Sequence, residues 1–388
     1  MAKASFGGVA NEIYFRGLGG ELPSLPMTFD GLEASARSVM TPEAYAYVAG
    51  GAGDEHTVRA NTDAFAGHGI VPRMLRQIVE RDLETDVLGK PMLTPLLTAP
   101  IGVLSIVHDD ADIAVARATA RLGVTSVLST AASTKLETVA QAAPEASRWF
   151  QLYWPKSMTL AESFVRRADA AGFEAIVVTL DTWSLGWRPR DLALAHLPFL
   201  KGLGIENYLH DPVFRAMLKE DPHASDDAMR AAVFTWAGLF GNPKLSWADV
   251  ARVREWTNLP ILVKGVCHPD DARAALDAGC AGVIVSNHGG RQVDRGRAAL
   301  ACLPDVARAV GDRATVLFDS GIRCGGDILV ALTLGARAVL IGRAFVYGLA
   351  LAGEAGVDHV LRNMLADFES SLVLAGFRTA REAHGYAL

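Results

Sequence analysis

From Pro95 to Ile341 short apolar runs alternate with segments whose apolar residues recur at helical spacing. The runs at 95–101, 124–128, 148–153, 175–180, 261–264, 282–286, 315–319 and 338–341 predict eight strands. Between them, 110–121, 135–142, 160–170, 247–256, 269–277, 298–310 and 326–334 predict helices. The joints share one form: RLGV at 121–124, AAGF at 170–173, DAGC at 277–280 and TLGA at 333–336 each set a glycine between helix and strand. Eight strands in this alternation specify a (β/α)8 barrel, with a doubly wound open sheet as the alternative.

The rhythm breaks once. Residues 182–246 follow the fourth strand and hold PFLKGLGIENYLHDPVF and the charged stretch LKEDPHASDDAMR. A connection this long predicts a lid over the active-site mouth, with 218–229 as its mobile part. The remainder divides into an N-terminal extension, 1–94, the barrel, 95–349, and a C-terminal helix and tail, 350–388, within one domain spanning 1–388. Glycine-rich residues 1–30 read as an extended arm. Two short helices follow Thr28, the second starting near Pro42 and stopped by Gly50 and Gly51. Tyr45 and Tyr47 stand two apart, so one face of that helix cannot present both.

Composition narrows the function classes. Half of the 388 residues are hydrophobic and 21% are charged, which suits an ordered globular chain. A net charge of −6 without a long basic run disfavours nucleic acid as a partner. Cys267, Cys280, Cys302 and Cys324 lack the paired spacing of a zinc site, so no metal is expected. No apolar stretch approaches the roughly 18 residues needed to span a bilayer, and none reads as a secretory signal. The expectation is a cytoplasmic protein without a membrane partner.

In a (β/α)8 barrel the C-terminal strand ends share one rim, and polar residues gather at those positions here. Ser129 follows strand two, Gln151 and Tyr153 end strand three, and Thr179 and Asp181 end strand four, with Arg188 close behind. Lys264 ends strand five; Ser286, His288 and Arg291 follow strand six. DSGIR at 319–323 and IGR at 341–343 place Asp319, Gly321, Arg323, Gly342 and Arg343 after strands seven and eight, where barrels bind phosphate through backbone donors and helix N-termini. No GxGxxG follows a strand, which disfavours a dinucleotide. This set suits flavin mononucleotide: Lys264 near the N1/C2 side of a reduced ring, Gln151 and Thr179 at its polar edge, and Ala99, Pro100, Ile101, Gly102 and Val103 as a wall behind it. The missing side chain of Gly102 is expected to leave space for oxygen or substrate adjustment.

At these residues the chain resembles the FMN-dependent 2-hydroxy-acid oxidase and dehydrogenase family. SNHGGRQ at 286–292 is similar to the family's active-site signature, joined by YVAGGAGDE at 47–55, QLYWP at 151–155 and TLDT at 179–182. LDTWSLGWRPRDL at 180–192 with LPFLKGLGIENYLHDPVF at 197–214 is most similar to the family's bacterial lactate 2-monooxygenase branch. The resemblance implies FMN as cofactor, L-lactate or a related 2-hydroxy acid and molecular oxygen as substrates, and a homotetramer or larger homo-oligomer. It implies His288 as base, Asp181 as its supporting carboxylate, Arg188 and Arg291 as the substrate-carboxylate pair, Tyr47 and Tyr153 as substrate-binding tyrosines, and Lys264 beside flavin N1. Tyr45 and Arg190 are then structural. Trp154 and the AAS segment at 131–133 depart from the monooxygenase pattern, implying a side-chain pocket not tuned solely for lactate.

Overall fold

The computed structural model describes residues 5–386. Eight parallel strands close into a barrel in chain order: β1 (Leu96–Thr98), β2 (Thr125–Ser129), β3 (Arg148–Leu152), β4 (Ile176–Thr179), β5 (Ile261–Val266), β6 (Gly282–Val285), β7 (Thr315–Phe318) and β8 (Ala338–Ile341), with β8 pairing back onto β1. The expected (β/α)8 barrel is therefore the fold.

Strand parity explains both the core and the site. Because side chains alternate across a strand, one large apolar residue per strand fills the barrel interior: Leu97, Val127, Trp149, Val177, Leu262, Ile284, Leu317 and Leu340 belong to one buried cluster, which Ala99, Ala175 and Ala338 complete. Their strand neighbours, among them Leu96, Phe150, Ile176, Val283, Val316 and Val339, belong to the larger core packed against the helices. An antiparallel pair, Thr85–Val87 with Lys90–Met92, plugs the N-terminal end; Val87 joins the interior cluster and the Leu88 N–H donates to Thr315 Oγ1 at 3.0 Å. The open end is thus the C-terminal rim.

Several expectations need correction. Residues 9–18 are not an extended arm but a helix, Val9–Leu18. Its glycines lie at the ends, Gly8 as N-cap and Gly19 as C-cap, with only Gly17 inside, so they do not prevent it. The 218–229 stretch is not loose throughout, because Ser225 caps a 14-residue helix, Asp226–Leu239, by accepting from the Ala228 N–H. The 182–246 excursion is itself a helical layer whose Phe199, Ile205, Tyr208, Leu209, Phe214 and Trp236 are buried. Asp211, fully buried, ties it to the barrel by accepting from Ser163 Oγ at 2.8 Å and pairing with Arg167 at 3.0 Å. The C-terminal helix starts earlier than expected, at Arg343, and bends at Ala352 and Gly353 before ending at Leu374. The tail folds back through Ala380–Ala383 onto the chain's own Asp82, while the last two residues of the expected 378–388 tail lie outside the described residues. Among the described residues no helix is long and apolar enough to cross a membrane.

Candidate active site

Two positions beyond the hydrophobic layer, the same inward parity places Ala99, Ser129, Gln151, Thr179, Lys264, Ser286, Asp319 and Gly342 on the barrel floor. Their hydrogen bonds run laterally. Ser129 Oγ donates to Gln151 Oε1 at 2.9 Å, and Gln151 Nε2 donates to Thr179 Oγ1 at 2.9 Å. Lys264 Nζ donates to Ser286 Oγ at 2.9 Å and pairs with Asp319 at 3.0 Å. Burial opposes the Lys264 charge, but Asp319 and Asp181 outweigh it and hold its pKa above the ordinary value. The ammonium is a fixed cation.

The β6 exit carries His288 in a left-handed conformation (φ 58), steadied by its N–H donating to Ser286 Oγ at 3.0 Å. Asp181 Oδ1 accepts from His288 Nδ1 at 2.9 Å, which fixes the proton there and leaves Nε2 as the acceptor, 3.4 Å from the Tyr153 hydroxyl. Thr182 Oγ1 donates to Asp181 Oδ1 at 3.0 Å and lies 3.2 Å from Nδ1. Burial, together with Lys264 and Arg188, holds the imidazole below its ordinary pKa of 6.5 against the pull of Asp181. Neutral histidine is the resting form. Burial likewise opposes the Asp181 charge, yet His288 and Lys264 keep its carboxyl below the usual range.

Arg291 and Arg188 approach from the same rim. Arg291 donates to the Tyr47 and Gly50 carbonyls at 2.6 and 2.7 Å and lies 5.1 Å from the Tyr47 ring centroid. Arg188 donates to the Arg291 carbonyl at 3.1 Å and to Gln292 Oε1 at 2.9 Å. Burial and the neighbouring Arg188 push Arg291 down to about 9, the mark of a cation lacking an anion. At the other end, Arg323 stacks 3.9 Å over the Phe29 ring, and Arg343 donates to the carbonyls of Val48, Gly289 and Gly50. Burial and Arg343 depress Arg323 to about 10, and burial depresses Arg343. Among the described residues, Arg291, Arg323 and Arg343 have no carboxylate within ion-pair distance. The donor set fits a phosphate at Arg323 and Arg343, a planar ring with a polar edge over Gln151, Thr179 and Lys264, and a small carboxylate at Arg291.

A cavity of about 1200 Å³, open to solvent, joins these ends and is lined by Tyr47, Ala99, Pro100, Gly102, Tyr153, Arg188, Lys264, His288, Arg291, Asp319, Gly321, Arg323, Gly342 and Arg343. Ser129, Gln151, Thr179, Asp181 and Ser286 stand behind this lining, bonded to it or to one another. Gly102 does not leave the expected space, since a Cβ there would meet Ala131 Cβ at 2.9 Å and the Ala131 carbonyl at 3.0 Å. Ala131 fills it. Trp154 lies off this cavity, buried against Trp256 at 5.5 Å, so its departure from the family pattern does not reach the lining directly. Tyr45 donates to Glu33 at 3.1 Å and Arg190 pairs with Glu55 at 2.6 Å, both away from the cavity.

Some residues escaped the sequence reading. Ser320 accepts from the Gly289 N–H at 3.0 Å, and Glu33 accepts from Tyr347 at 3.0 Å beside Arg343. Phe199, Trp236 and Phe240 line the cavity from the excursion. Only Thr182 and Ser320 carried a signal, each next to a singled-out aspartate.

A parallel barrel with an arginine-rich end, a polar floor and a histidine–aspartate pair is the frame of a flavin-dependent oxidoreductase, and the chain belongs to the FMN-dependent dehydrogenase family, whose model matches residues 36–388. Its cofactor is FMN. The chain is 41% identical over 385 residues to the FMN-dependent alpha-hydroxy acid dehydrogenase qulF of Penicillium citrinum, covering 99% of this chain and 96% of that one. It is 42% identical over 352 residues to an L-lactate oxidase of Lysinibacillus sphaericus, covering 90% and 89% respectively. A crystal structure of mandelate oxidase superimposes with a TM-score of 0.82 at 35% identity, covering 93% of this chain and 97% of that one.

Proposed function

We propose that this FMN enzyme oxidises a small L-2-hydroxy acid at C2, with molecular oxygen regenerating the cofactor. The observation that carries this reading is a neutral His288, oriented by Asp181 at 2.9 Å, sharing one cavity with Arg188 and an anion-less Arg291. In it Arg188 and Arg291 hold the substrate carboxylate and turn C2 toward the ring, reducing the orientational cost of reaction. His288 Nε2 takes the hydroxyl proton, and Asp181 compensates the imidazolium that results. Tyr47 and Tyr153 bound the reacting end, and Tyr153 reaches the same Nε2 as the substrate hydroxyl. Lys264 would face charge arriving on the ring, and FMN, when bound, would supply the two-electron acceptor. From behind the lining Ser129, Gln151, Thr179 and Ser286 would steady the ring's polar edge, with Asp319 holding Lys264 in place beside it; Gly321, Arg323, Gly342 and Arg343 would hold the phosphate end. The similarity to an L-lactate oxidase supports the substrate class.

A second reading concerns product fate. The buried aromatic roof contributed by 182–246 favours retention of the keto acid, so that peroxide decarboxylates it: lactate and oxygen give pyruvate and peroxide, which give acetate, carbon dioxide and water. This is the lactate 2-monooxygenase outcome, proposed for a cytoplasmic homo-oligomer. The deciding experiment supplies L-lactate and oxygen to the FMN-loaded enzyme and follows acetate, pyruvate and peroxide together. Acetate without free peroxide establishes the coupled reaction, stoichiometric pyruvate and peroxide the simple oxidase, and no flavin reduction by any 2-hydroxy acid sinks both.

A further inference from the structure

The aromatic part of the cavity lining, Phe199, Tyr208, Trp236 and Phe240, has no assigned part in choosing the substrate. This wall comes from the excursion. The Tyr47 ring meets Phe199 edge-on at 6.3 Å, Phe199 stacks on Trp236 at 5.1 Å, Trp236 tilts onto Phe240 at 5.6 Å, and Phe240 meets Tyr153 edge-on at 6.3 Å. The arc runs unbroken from one tyrosine flanking the base to the other. All six aromatic lining groups, Tyr208 included, border the cavity.

Trp236 is the keystone, touching both Phe199 and Phe240. Behind it Tyr208 packs edge-on at 6.5 Å, and Tyr208 itself rests on Phe214 at 5.6 Å and on Phe164 of the barrel helix Met158–Ala170 at 4.8 Å. The arc is also docked on the wall behind the ring. Gly204 (φ 72) sits so close that a Cβ would meet Val103 Cγ2 at 2.6 Å and the Ala131 carbonyl and Phe199 Cε1 at 3.0 Å each. Such a wall does not yield to a longer substrate without breaking the excursion's own core. Among the described residues Phe199, Tyr208, Trp236 and Phe240 carry no charge, and Arg188, the excursion's charged lining residue, is already assigned to the first carboxylate, so a second carboxylate against these rings would be desolvated without compensation.

Resting on the functional reading above, we propose that Trp236 is a specificity-determining residue, closing the substrate side-chain end of the site with Phe199 and Phe240. The site takes 2-hydroxy acids with uncharged, apolar side chains, and the indole sets their permitted size. Hydrophobic pockets discriminate by about tenfold or more for each misfitted group, so the effect is measurable.

The test uses the full chain loaded with FMN. Anaerobic flavin reduction is followed with L-lactate, L-mandelate and L-malate, and the spectral change on binding unreactive propionate and phenylacetate gives equilibrium constants free of chemistry. Trp236→Ala should raise the efficiency ratio of L-mandelate to L-lactate by about tenfold or more, and tighten phenylacetate relative to propionate in the same direction. Trp236→Phe should move both ratios partway and carries the test if the alanine variant does not fold. L-malate should remain the poorest substrate throughout. Ratios unmoved in variants that stay yellow and reducible, or L-malate oxidised as well as L-lactate, would overturn this inference alone. Reduction of the parent enzyme by none of the three acids would overturn the functional reading and the inference with it.

Discussion

As the proposed base, His288 has to be neutral at rest and cationic in passing, and its surroundings divide that work. Burial with Lys264 and Arg188 lowers its pKa below 6.5, while Asp181 stands ready for the charged form. Because the base must be unprotonated, kcat/KM for flavin reduction should rise with pH along an arm centred below 6.5 and stay flat above it. A midpoint above that value in a pH profile would assign the arm to another group. His288→Asn should keep FMN bound yet slow reduction by about 10²–10⁴-fold, read by stopped flow. Arg291→Lys keeps a charge but cannot span the Tyr47 and Gly50 carbonyls and a substrate carboxylate together. Its kcat/KM should fall about 100-fold, a loss of positioning rather than of charge. At this scale the sequence was readable where chemistry sits in short motifs, as in SNHGGRQ. It was silent on Glu33, which tertiary packing brings to Tyr347 and within electrostatic reach of Arg323 and Arg343. Gly102 shows the opposite limit, since glycine makes room without saying what fills it.

Among elements, β5 shows how backbone geometry serves chemistry. Gly265 adopts φ 99, and a Cβ there would meet the Asp181 Cβ at 2.7 Å. Gly265→Ala should push the carboxylate off His288, costing about 1–3 kcal/mol in urea unfolding and slowing reduction while FMN remains bound. Unchanged reduction would mean that Asp181 does not need its present seat. Strand existence was legible because a buried parallel strand is a short unbroken apolar run. The floor followed from parity: a polar residue two places beyond Trp149, Val177 or Leu262 has to face the ring side. The excursion was not legible in the same way. Its helices are four to fourteen residues long, started by Pro212 or Ser225 and cut short by turns, so no window shows sustained periodicity. Their stability comes from contacts with the barrel.

For the whole molecule, excursion and barrel are one packed body, tied by Asn207 to the β2 exit, by Asp211 to Ser163 and Arg167, and by Arg188 to Gln292. Asp211→Ala would leave Arg167 with Glu137 as its one carboxylate partner, remove the acceptor of Ser163 and uncap Pro212–Arg215, and should cost about 1–3 kcal/mol in urea unfolding of the loaded enzyme. A loss well below 1 kcal/mol would show the excursion held by its aromatic core alone. Closure of the barrel also has a consequence in time. β8 pairs with β1, and Arg323 rests on Phe29 from the N-terminal extension, so the phosphate end joins segments some three hundred positions apart. During synthesis the early helix must wait for the late strands before its aromatic ring has a guanidinium to support. With the phosphate held at Arg323 and Arg343 as proposed, nucleotide capture falls among the last steps of maturation, and a ribosome paused before β8 should carry a chain that cannot yet be loaded.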